Sequence, residues 1–372
     1  MCIRPSSASL WTLVLVASCS GGRGESGNGA PVPKPVTAAE SVTATPDSID
    51  LQGAGATFPY PLYSKWVAEY QKLDAKVRIN YQSIGSGGGI RQITERTVDF
   101  GATDAPMKED ELAKLSKPIL HVPTTLGAVV IAYNLPGVDA LKLSPELVAA
   151  IFSGELKKWN DPKLKALNPG VKLPSDPISV TYRSDGSGTT AVFTEYLSKI
   201  SPAWAQKTGS GKSVKFPAGL GAKGNEGVAG QLKTSPGSIG YIELAYAKQT
   251  GIPFASIRNR AGQFVEPSLP GISAAAAGSM GALPDDLRVS IVDAAGDAAY
   301  PIAAFTYLLV YQEQADASKG KALAQFLWWA IHEGQAFGPP LHYAPLPPEI
   351  VTRVESKLRT LRTGDQPLLP SS

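Results

Sequence analysis

The sequence contains very little sulfur. Only two cysteines, Cys2 and Cys19, occur in 372 residues. Because no cysteine follows residue 19, the rest of the chain can hold neither a disulfide framework nor a thiolate metal site. The histidines His121, His332 and His342 are far apart and have no second ligand at the spacing of a zinc site. We therefore expect no bound metal and no cofactor.

An excess of charge of one sign is also missing. The 35 Lys and Arg residues against 32 Asp and Glu residues give a formal net charge of +3. Nucleic-acid binders normally carry basic clusters, and the longest basic grouping here, at 155–159, is typical of a solvated helix face. We expect no nucleic-acid partner. With 43% hydrophobic and 18% charged residues, the composition indicates a globular protein of one or two domains.

Near the N-terminus, the apolar stretch at 10–17 is too short to span a bilayer. Arg4 precedes it and small residues follow, which is typical of a secretory signal. The ending Val-Ala-Ser-Cys resembles a bacterial lipoprotein processing box, so we predict removal of 1–18 and acylation of Cys19. Plain cleavage beside an incidental cysteine is the alternative. Residues 19–47 are rich in Gly, Ser, Pro, Thr and Ala and predict a flexible tether. We expect a protein of the periplasm or cell surface that is lipid-anchored to a membrane.

From residue 48 onward, strand-like and helix-like patterns alternate. The segment 61–73 predicts a helix whose apolar face holds Leu62, Trp66, Val67 and Tyr70. This alternation favours an α/β fold in which mixed central sheets are flanked by helices. Roughly 325 structured residues exceed one comfortable hydrophobic core, so we predict two lobes.

Three segments share one design, in which a strand is followed by a Gly/Ser/Thr turn and then a helix. They are GAGATFP (53–59), GSGGGI (85–90) and SDGSGTT (184–190), and the helix after the second is predicted over 90–98. The start of a helix presents unpaired N–H groups and partial positive charge to an anion. A single turn of this kind is usually just a helix cap. Three turns with Arg183 beside the third favour a tetrahedral oxyanion, because a guanidinium matches its geometry.

Two other glycine-rich segments imitate nucleotide-binding motifs. GSGKS (209–213) lacks the glycine that a P-loop requires at 206, where Gln206 stands. GLGAKG (219–224) fits the G-x-G-x-x-G pattern, but it follows SVKFPA rather than the opening of a βαβ unit. We interpret it as a loop. The sequence has no G-x-S-x-G elbow and no cluster of His and carboxylate residues, so these signs of a hydrolytic site are missing.

Six segments together resemble the periplasmic phosphate-binding subunit of the bacterial high-affinity phosphate ABC importer. They are GAGATFPYPLYSKW, YQSIGSGGGIRQI, VDFGATDAP, RSDGSGTTAVFTEYL, GLGAKGNEGVAGQLK and GSIGYIELAYAKQ. The resemblance runs in order from about residue 48 to residue 360. It implies a two-lobed clamshell (type II), with lobe I at 48–133 plus 300–372 and lobe II at 134–299. It also implies a monomer that captures inorganic phosphate and delivers it to the permease subunits and ATPase of a transporter.

The resemblance also implies a phosphate-binding set. Its members are Thr57, Phe58, Ser86, Asp104, Arg183, Ser187, Gly188 and Thr189. Asp104 would be the acceptor to the ligand, and Asp185 would orient Arg183. Two positions depart from the usual pattern: the second turn has Ser-Gly-Gly-Gly where Ser-Ser-Gly-Gly is common, and Tyr182 stands where a second arginine is common. The second departure lowers the local positive charge.

The role implied for Asp104 has a chemical consequence. An ionised carboxylate only accepts hydrogen bonds. Phosphate keeps at least one proton near neutral pH and can donate it, whereas sulfate has none. We therefore predict selection of phosphate over sulfate, at about 10⁴-fold or more. The alternative for Asp104 is a turn or helix-cap carboxylate, which its neighbours Ala105 and Pro106 would suit.

Two rival functions remain open at this stage. A secreted phosphatase or phosphoryl transferase could use the same oxyanion cradle, but Ser187 has no evident base and no metal cluster is present in the sequence. We therefore expect no catalysis. A tethered phosphate sensor or scavenger without a permease is not distinguishable from a transport protein by sequence.

Overall fold

The computed structural model describes residues 48–370. The predicted signal peptide (1–18), the predicted acylation site Cys19 and the predicted tether (19–47) lie outside the described residues. The strands, in chain order, are β1 (Ile49–Gly55), β2 (Val77–Ser83), β3 (Phe100–Thr103), β4 (Ile119–Tyr133), β5 (Lys142–Leu143), β6 (Ser179–Arg183), β7 (Leu220–Ala222), β8 (Ser238–Glu243), β9 (Ser256–Arg258), β10 (Phe264–Val265), β11 (Ala303–Tyr311), β12 (Arg362–Thr363) and β13 (Gln366–Pro367).

Helices follow most of these strands, as the predicted alternation requires. They are α1 (Tyr60–Leu73), α2 (Ser86–Thr94), α3 (Glu109–Leu112), α4 (Pro145–Phe152), α5 (Pro162–Leu167), α6 (Gly188–Ile200), α7 (Pro202–Lys207), α8 (Gly224–Thr234), α9 (Leu244–Thr250), α10 (Leu269–Ala277), α11 (Ala317–Ile331) and α12 (Pro348–Leu358). Short 3₁₀ turns occupy Met280–Ala282, Glu333–Phe337 and Pro339–Leu341. Searched over residues 48–370, no helix is long and apolar enough to cross a membrane.

The main sheet has eight strands in the order β2-β1-β3-β11-β4-β8-β6-β7. It is mixed: β1 is parallel to β2 and β3, β6 is parallel to β7 and β8, and β11 and β4 run antiparallel to their neighbours. Strand β4 pairs with β11 along 119–128 and with β8 along 129–133. It therefore connects the β1–β3 side with the β6–β8 side, and the α/β fold has two lobes built on one sheet.

The lobe limits at 133/134 and 299/300 stay a prediction. The described residues belong to one compact unit. The larger of two buried apolar clusters in these residues includes side chains from Leu51 to Leu369. Strands β4 and β11 explain this continuity, because every residue from Ala303 to Tyr311 and from His121 to Tyr133 is buried.

Helix α1 shows how the sequence pattern positions an element. Its buried face holds Leu62, Tyr63, Trp66 and Tyr70. The predicted face included Val67 in place of Tyr63, and Val67 is only half-buried. The indole N–H of Trp66 donates to the carbonyl oxygen of Gly334 at 2.6 Å, which ties α1 to the C-terminal part of the chain.

The second glycine turn forms a helix earlier than predicted. Helix α2 begins at Ser86 and ends at Thr94, so the three glycines 87–89 lie in its first turn rather than before it. Glycine is unfavourable inside a helix, but the space between α2 and β1 admits no larger residue here. A Cβ at Gly89 would lie 2.6 Å from the Cα of Gly55 in β1. Tertiary packing of α2 against β1 therefore outweighs local propensity.

Segment 219–224, interpreted from the sequence as a loop, is also different. Residues 220–222 form β7, which pairs in parallel with β6, and α8 begins at Gly224 with a φ of 75°. The loop interpretation is wrong, because pairing with an exposed sheet edge orders a segment that has no strong strand pattern of its own. The described residues thus contain a further glycine-rich strand–turn–helix unit, whose strand lies next to that of the third turn.

Candidate anion-binding cleft

The glycine turns meet where the parallel strands of each lobe end, which is the usual place for a ligand in an open α/β sheet. The amide of Gly87 in the second turn donates to the carbonyl oxygen of Gly186 in the third at 2.8 Å. The first turn reaches the other lobe through Tyr246, whose hydroxyl donates to the carbonyl oxygen of Thr57 at 2.6 Å. The two lobes are therefore in contact around one buried polar cluster.

Asp104 lies in this cluster and is only 3% exposed. Its Oδ1 accepts from the hydroxyl of Thr306 at 2.9 Å, and its Oδ2 lies 3.4 Å from the hydroxyl of Ser86. These partners come from β11 and α2, so the carboxylate does not cap its own turn, contrary to the alternative interpretation. Burial raises the pKa of Asp104 to about 7, against the lowering effects of Thr306, the charge of Arg183 and Ser86.

Arg183 ends β6 with its side chain 1% exposed. Its Nε donates to Oδ1 of Asp185 at 2.7 Å, and its Nη2 donates to Oδ2, which makes a two-point contact. Asp185 also accepts from the amide of Gly224 at 3.1 Å. Burial opposes ionisation of Asp185, but the hydrogen bonds and charge of Arg183 outweigh it and hold the pKa of Asp185 below its usual value. The predicted pairing is present, and its role toward a ligand stays a prediction.

The third turn opens α6. Ser187 is the N-cap, with its hydroxyl accepting from the amide of Thr190 at 3.0 Å. Gly188 lies against the other lobe, where a Cβ would come 2.4 Å from both Oδ2 of Asp104 and Oγ of Ser86. Glycine is required there for close approach of the two lobes. The start of α6 thus faces the carboxylate directly.

Thr57 and Phe58 occupy the turn before α1 and are 2% and 0% exposed. The carbonyl oxygen of Phe58 accepts from the hydroxyl of Tyr343 at 2.7 Å. The Phe58 ring fills the space beside Gly127, where a Cβ would lie 2.6 Å from the ring. Because the ring is core, only the backbone of Phe58 is available to an anion. Its amide, like those of the α6 turn, is a neutral donor.

The structure brings together all eight predicted binding residues and Asp185; Cys19 lies outside the described residues. It adds residues that the sequence interpretation missed. Thr306 supports Asp104, and Asn225 bridges Thr57 and Thr189 at 2.7 and 3.1 Å. Asn225 lies in the segment GLGAKGNEGVAGQLK, directly after residues 219–224, which the sequence interpretation treated as a loop. Thr306 gave no local signal, since it lies 202 residues from its partner.

Chemically, the cluster offers many donors and the buried carboxyl groups of Asp104 and Glu243. Burial raises the pKa of Glu243 well above its usual value. Within residues 48–370, no group of His, Cys, Asp and Glu is placed to hold a metal ion. His121 contacts the amide of Met107 at 3.1 Å and is buried, which lowers its pKa to about 3. It is therefore a neutral core histidine. The arrangement suits a compact anion with at least one proton of its own.

Known phosphate-binding proteins resemble this chain over most of its length. The model of the PBP superfamily domain matches residues 37–333. The chain is 45% identical to the phosphate-binding protein PstS of Pasteurella multocida, covering 83% of this chain and 90% of that one. It is 39% identical to PstS of Methanocaldococcus jannaschii, covering 90% and 87%. A crystal structure of a phosphate-binding protein from Stenotrophomonas maltophilia shares the fold, with a TM-score of 0.65 at 20% identity over 83% of this chain and 94% of that one. The chain belongs to the PBP superfamily and, within it, to the PstS family of phosphate-binding proteins.

Proposed function

We propose that this protein captures inorganic phosphate outside the cytoplasmic membrane and delivers it to the permease of an ABC-type phosphate importer. The observation that carries the proposal is the position of Asp104, a buried carboxylate opposite the N-terminus of α6 and close to Arg183. Relatives at 45% and 39% identity that are named phosphate-binding protein PstS support the same ligand.

In this proposal, phosphate is held by Arg183, by the hydroxyls of Thr57, Ser86, Ser187 and Thr189, and by the amides of Phe58 and Gly188. Arg183 supplies the fork that matches an oxyanion, and Asp185 keeps that fork oriented. Asp104 accepts the proton that phosphate retains. Sulfate would place an unprotonated oxygen against this carboxylate, which leaves both without a partner. No cofactor and no metal takes part.

Calorimetry on phosphate-free protein tests the ligand. We expect tight phosphate binding, and sulfate binding that is much weaker at about pH 9, where the ionised form of Asp104 prevails. Equal affinities for the two anions at that pH would refute the role of Asp104. Absence of phosphate binding would refute the proposed function itself.

We further propose that the protein is not an enzyme. The hydroxyl of Ser187 accepts from the amide of Thr190 as a helix cap, and no histidine of the described residues contacts it. A nucleophile needs an adjacent base. Incubation with a phosphomonoester is expected to give no turnover, and catalytic release of phosphate that depends on Ser187 would refute the proposal.

The remaining parts of the proposal concern partners and location. We propose a monomer that is anchored through acylated Cys19 and serves a permease with its ATPase. Expression of Cys19→Ser is expected to release the protein from membranes without changing its affinity for phosphate. Phosphate uptake is then measured in cells that express the permease constitutively and lack the gene for this protein, with and without the Cys19→Ser variant supplied. This comparison distinguishes transport from sensing, because a pure sensor would leave uptake by the permease unchanged.

A further inference from the structure

Asn225 lies between the two lobes at the start of α8 and is fully buried. Its Oδ1 accepts from the amide of Glu243 at 2.9 Å. Because a backbone N–H can only donate, this contact fixes which end of the side-chain amide is oxygen. The Nδ2 group therefore points the other way, toward the hydroxyl oxygens of Thr57 and Thr189.

The hydroxyl oxygen of Thr57 accepts two hydrogen bonds from this one residue. Nδ2 of Asn225 lies at 2.7 Å and the backbone N of Asn225 at 3.3 Å. A hydroxyl has two lone pairs and one proton. With both lone pairs engaged by donors, the hydroxyl of Thr57 has only its proton left to offer.

Thr189 repeats this arrangement from the other lobe. Its hydroxyl oxygen accepts from Nδ2 of Asn225 at 3.1 Å and from Nη1 of Arg183 at 3.4 Å. In the described part of the chain, neither this hydroxyl nor that of Thr57 donates to another protein atom. Each proton is consequently free for a ligand.

We propose that Asn225 is a positioning residue that sets the hydrogen-bond direction of two binding hydroxyls. By occupying their acceptor sites, Asn225 compels Thr57 and Thr189 to donate, so that Asp104 is the acceptor that a protonated anion meets. Since Asn225 is in the β6–β8 lobe and Thr57 in the β1–β3 lobe, the arrangement is completed only when the lobes are together. This inference rests on the proposed phosphate binding and adds a source of its selectivity.

Two substitutions separate this role from a merely structural one. Asn225→Asp keeps the shape and the bond to the Glu243 amide, but its second oxygen accepts and draws both hydroxyl protons away from the ligand. Asn225→Ala leaves both hydroxyls free to rotate toward it. We expect phosphate affinity to fall roughly 10-fold in Asn225→Ala and roughly 10²- to 10⁴-fold in Asn225→Asp. A structural role predicts the reverse order, because alanine leaves a cavity.

A double-mutant cycle with Thr57→Val removes the contribution of the added charge, which acts equally with or without the hydroxyl. The loss caused by Asn225→Asp is expected to be at least 10-fold smaller in the Thr57→Val background, a coupling typical of contacting residues. Equal losses in both backgrounds, or a smaller loss for Asn225→Asp than for Asn225→Ala, would refute the inference.

Two further measurements keep the test decisive. If Asn225→Asp does not fold, the cycle of Asn225→Ala with Thr57→Val decides, and an undiminished loss from Asn225→Ala in the Thr57→Val background would refute the role through that hydroxyl. Phosphate binding by the unaltered protein is measured first. Failure there refutes the proposed function, whereas normal binding with the wrong order of variants refutes only the role of Asn225.

Discussion

In the proposed function, Asp104 makes the choice between phosphate and sulfate depend on pH in a calculable way. Its pKa is raised to about 7 by burial. The neutral acid, which can donate to an anion, therefore prevails below about pH 7, and the carboxylate, which only accepts, prevails above it. Phosphate keeps a proton of its own on both sides of this value. Sulfate does not, so it binds well only when Asp104 takes up a proton.

The size of the effect follows from the cost of that proton. Each pH unit above the pKa adds about 1.4 kcal/mol to the cost of protonating Asp104, which is tenfold in affinity. From about pH 7 to about pH 9, the Kd for sulfate should therefore rise roughly 100-fold, while the Kd for phosphate changes only a few-fold. The ratio of the sulfate Kd to the phosphate Kd therefore rises with pH, and it becomes constant below about pH 6.

Calorimetry in buffers of different ionisation enthalpy measures both the affinities and the proton uptake. Above about pH 8 we expect sulfate binding to take up close to one proton per anion. Asp104→Asn is the matched control, because it keeps the shape and cannot ionise; its phosphate-to-sulfate ratio should be small and independent of pH. A constant ratio in the unaltered protein, or the same pH dependence in Asp104→Asn, would refute the reasoning.

Three further predictions concern contacts around the cleft and in the core. Gly188→Ala should weaken phosphate binding by roughly 100-fold or more, because its Cβ would lie 2.4 Å from two oxygen atoms of the other lobe. Calorimetry measures this loss of affinity. Gly230→Ala, at a helix position with open space around it, is the neutral control. Asp185→Asn should lower the free energy of unfolding without phosphate by about 3 kcal/mol, since it leaves a buried guanidinium without its charge partner. Urea titration with and without saturating phosphate should show that this loss of stability shrinks when the anion is bound. A loss of stability that phosphate leaves unchanged would contradict the prediction. Trp66→Phe should destabilise by about 1–3 kcal/mol by orphaning the buried carbonyl oxygen of Gly334 while leaving phosphate affinity unchanged, and a loss of affinity at unchanged stability would argue against a purely structural role.

Local patterns were sufficient for some of the elements around the cleft. The alternation of strand and helix, the apolar face of α1 and the Gly/Ser/Thr turns are each encoded within about a dozen residues, where periodicity and helix caps act. The resemblance to a known family then named Thr57, Ser86 and Asp104 as a set, and the structure places them in one cluster.

Where sequence reasoning failed, distant contacts outweighed local preference. Three consecutive glycines predict a turn, yet α2 begins at Ser86 because only glycine allows its close packing against β1. Residues 220–222 have a weak strand pattern, yet they pair with β6 at the edge of the main sheet. Propensity is a weak guide wherever packing or pairing supplies more free energy than the local preference costs.

The sequence by itself determined the class of the fold and the types of donor that the glycine turns carry, because these are properties of short segments. Only the tertiary structure decided how the donors and the acceptor face one another. Thr306 reaches Asp104, and Asn225 joins Thr57 to Thr189, across 202, 168 and 36 residues respectively. Such contacts depend on strand order and register in the shared sheet, which no local pattern specifies.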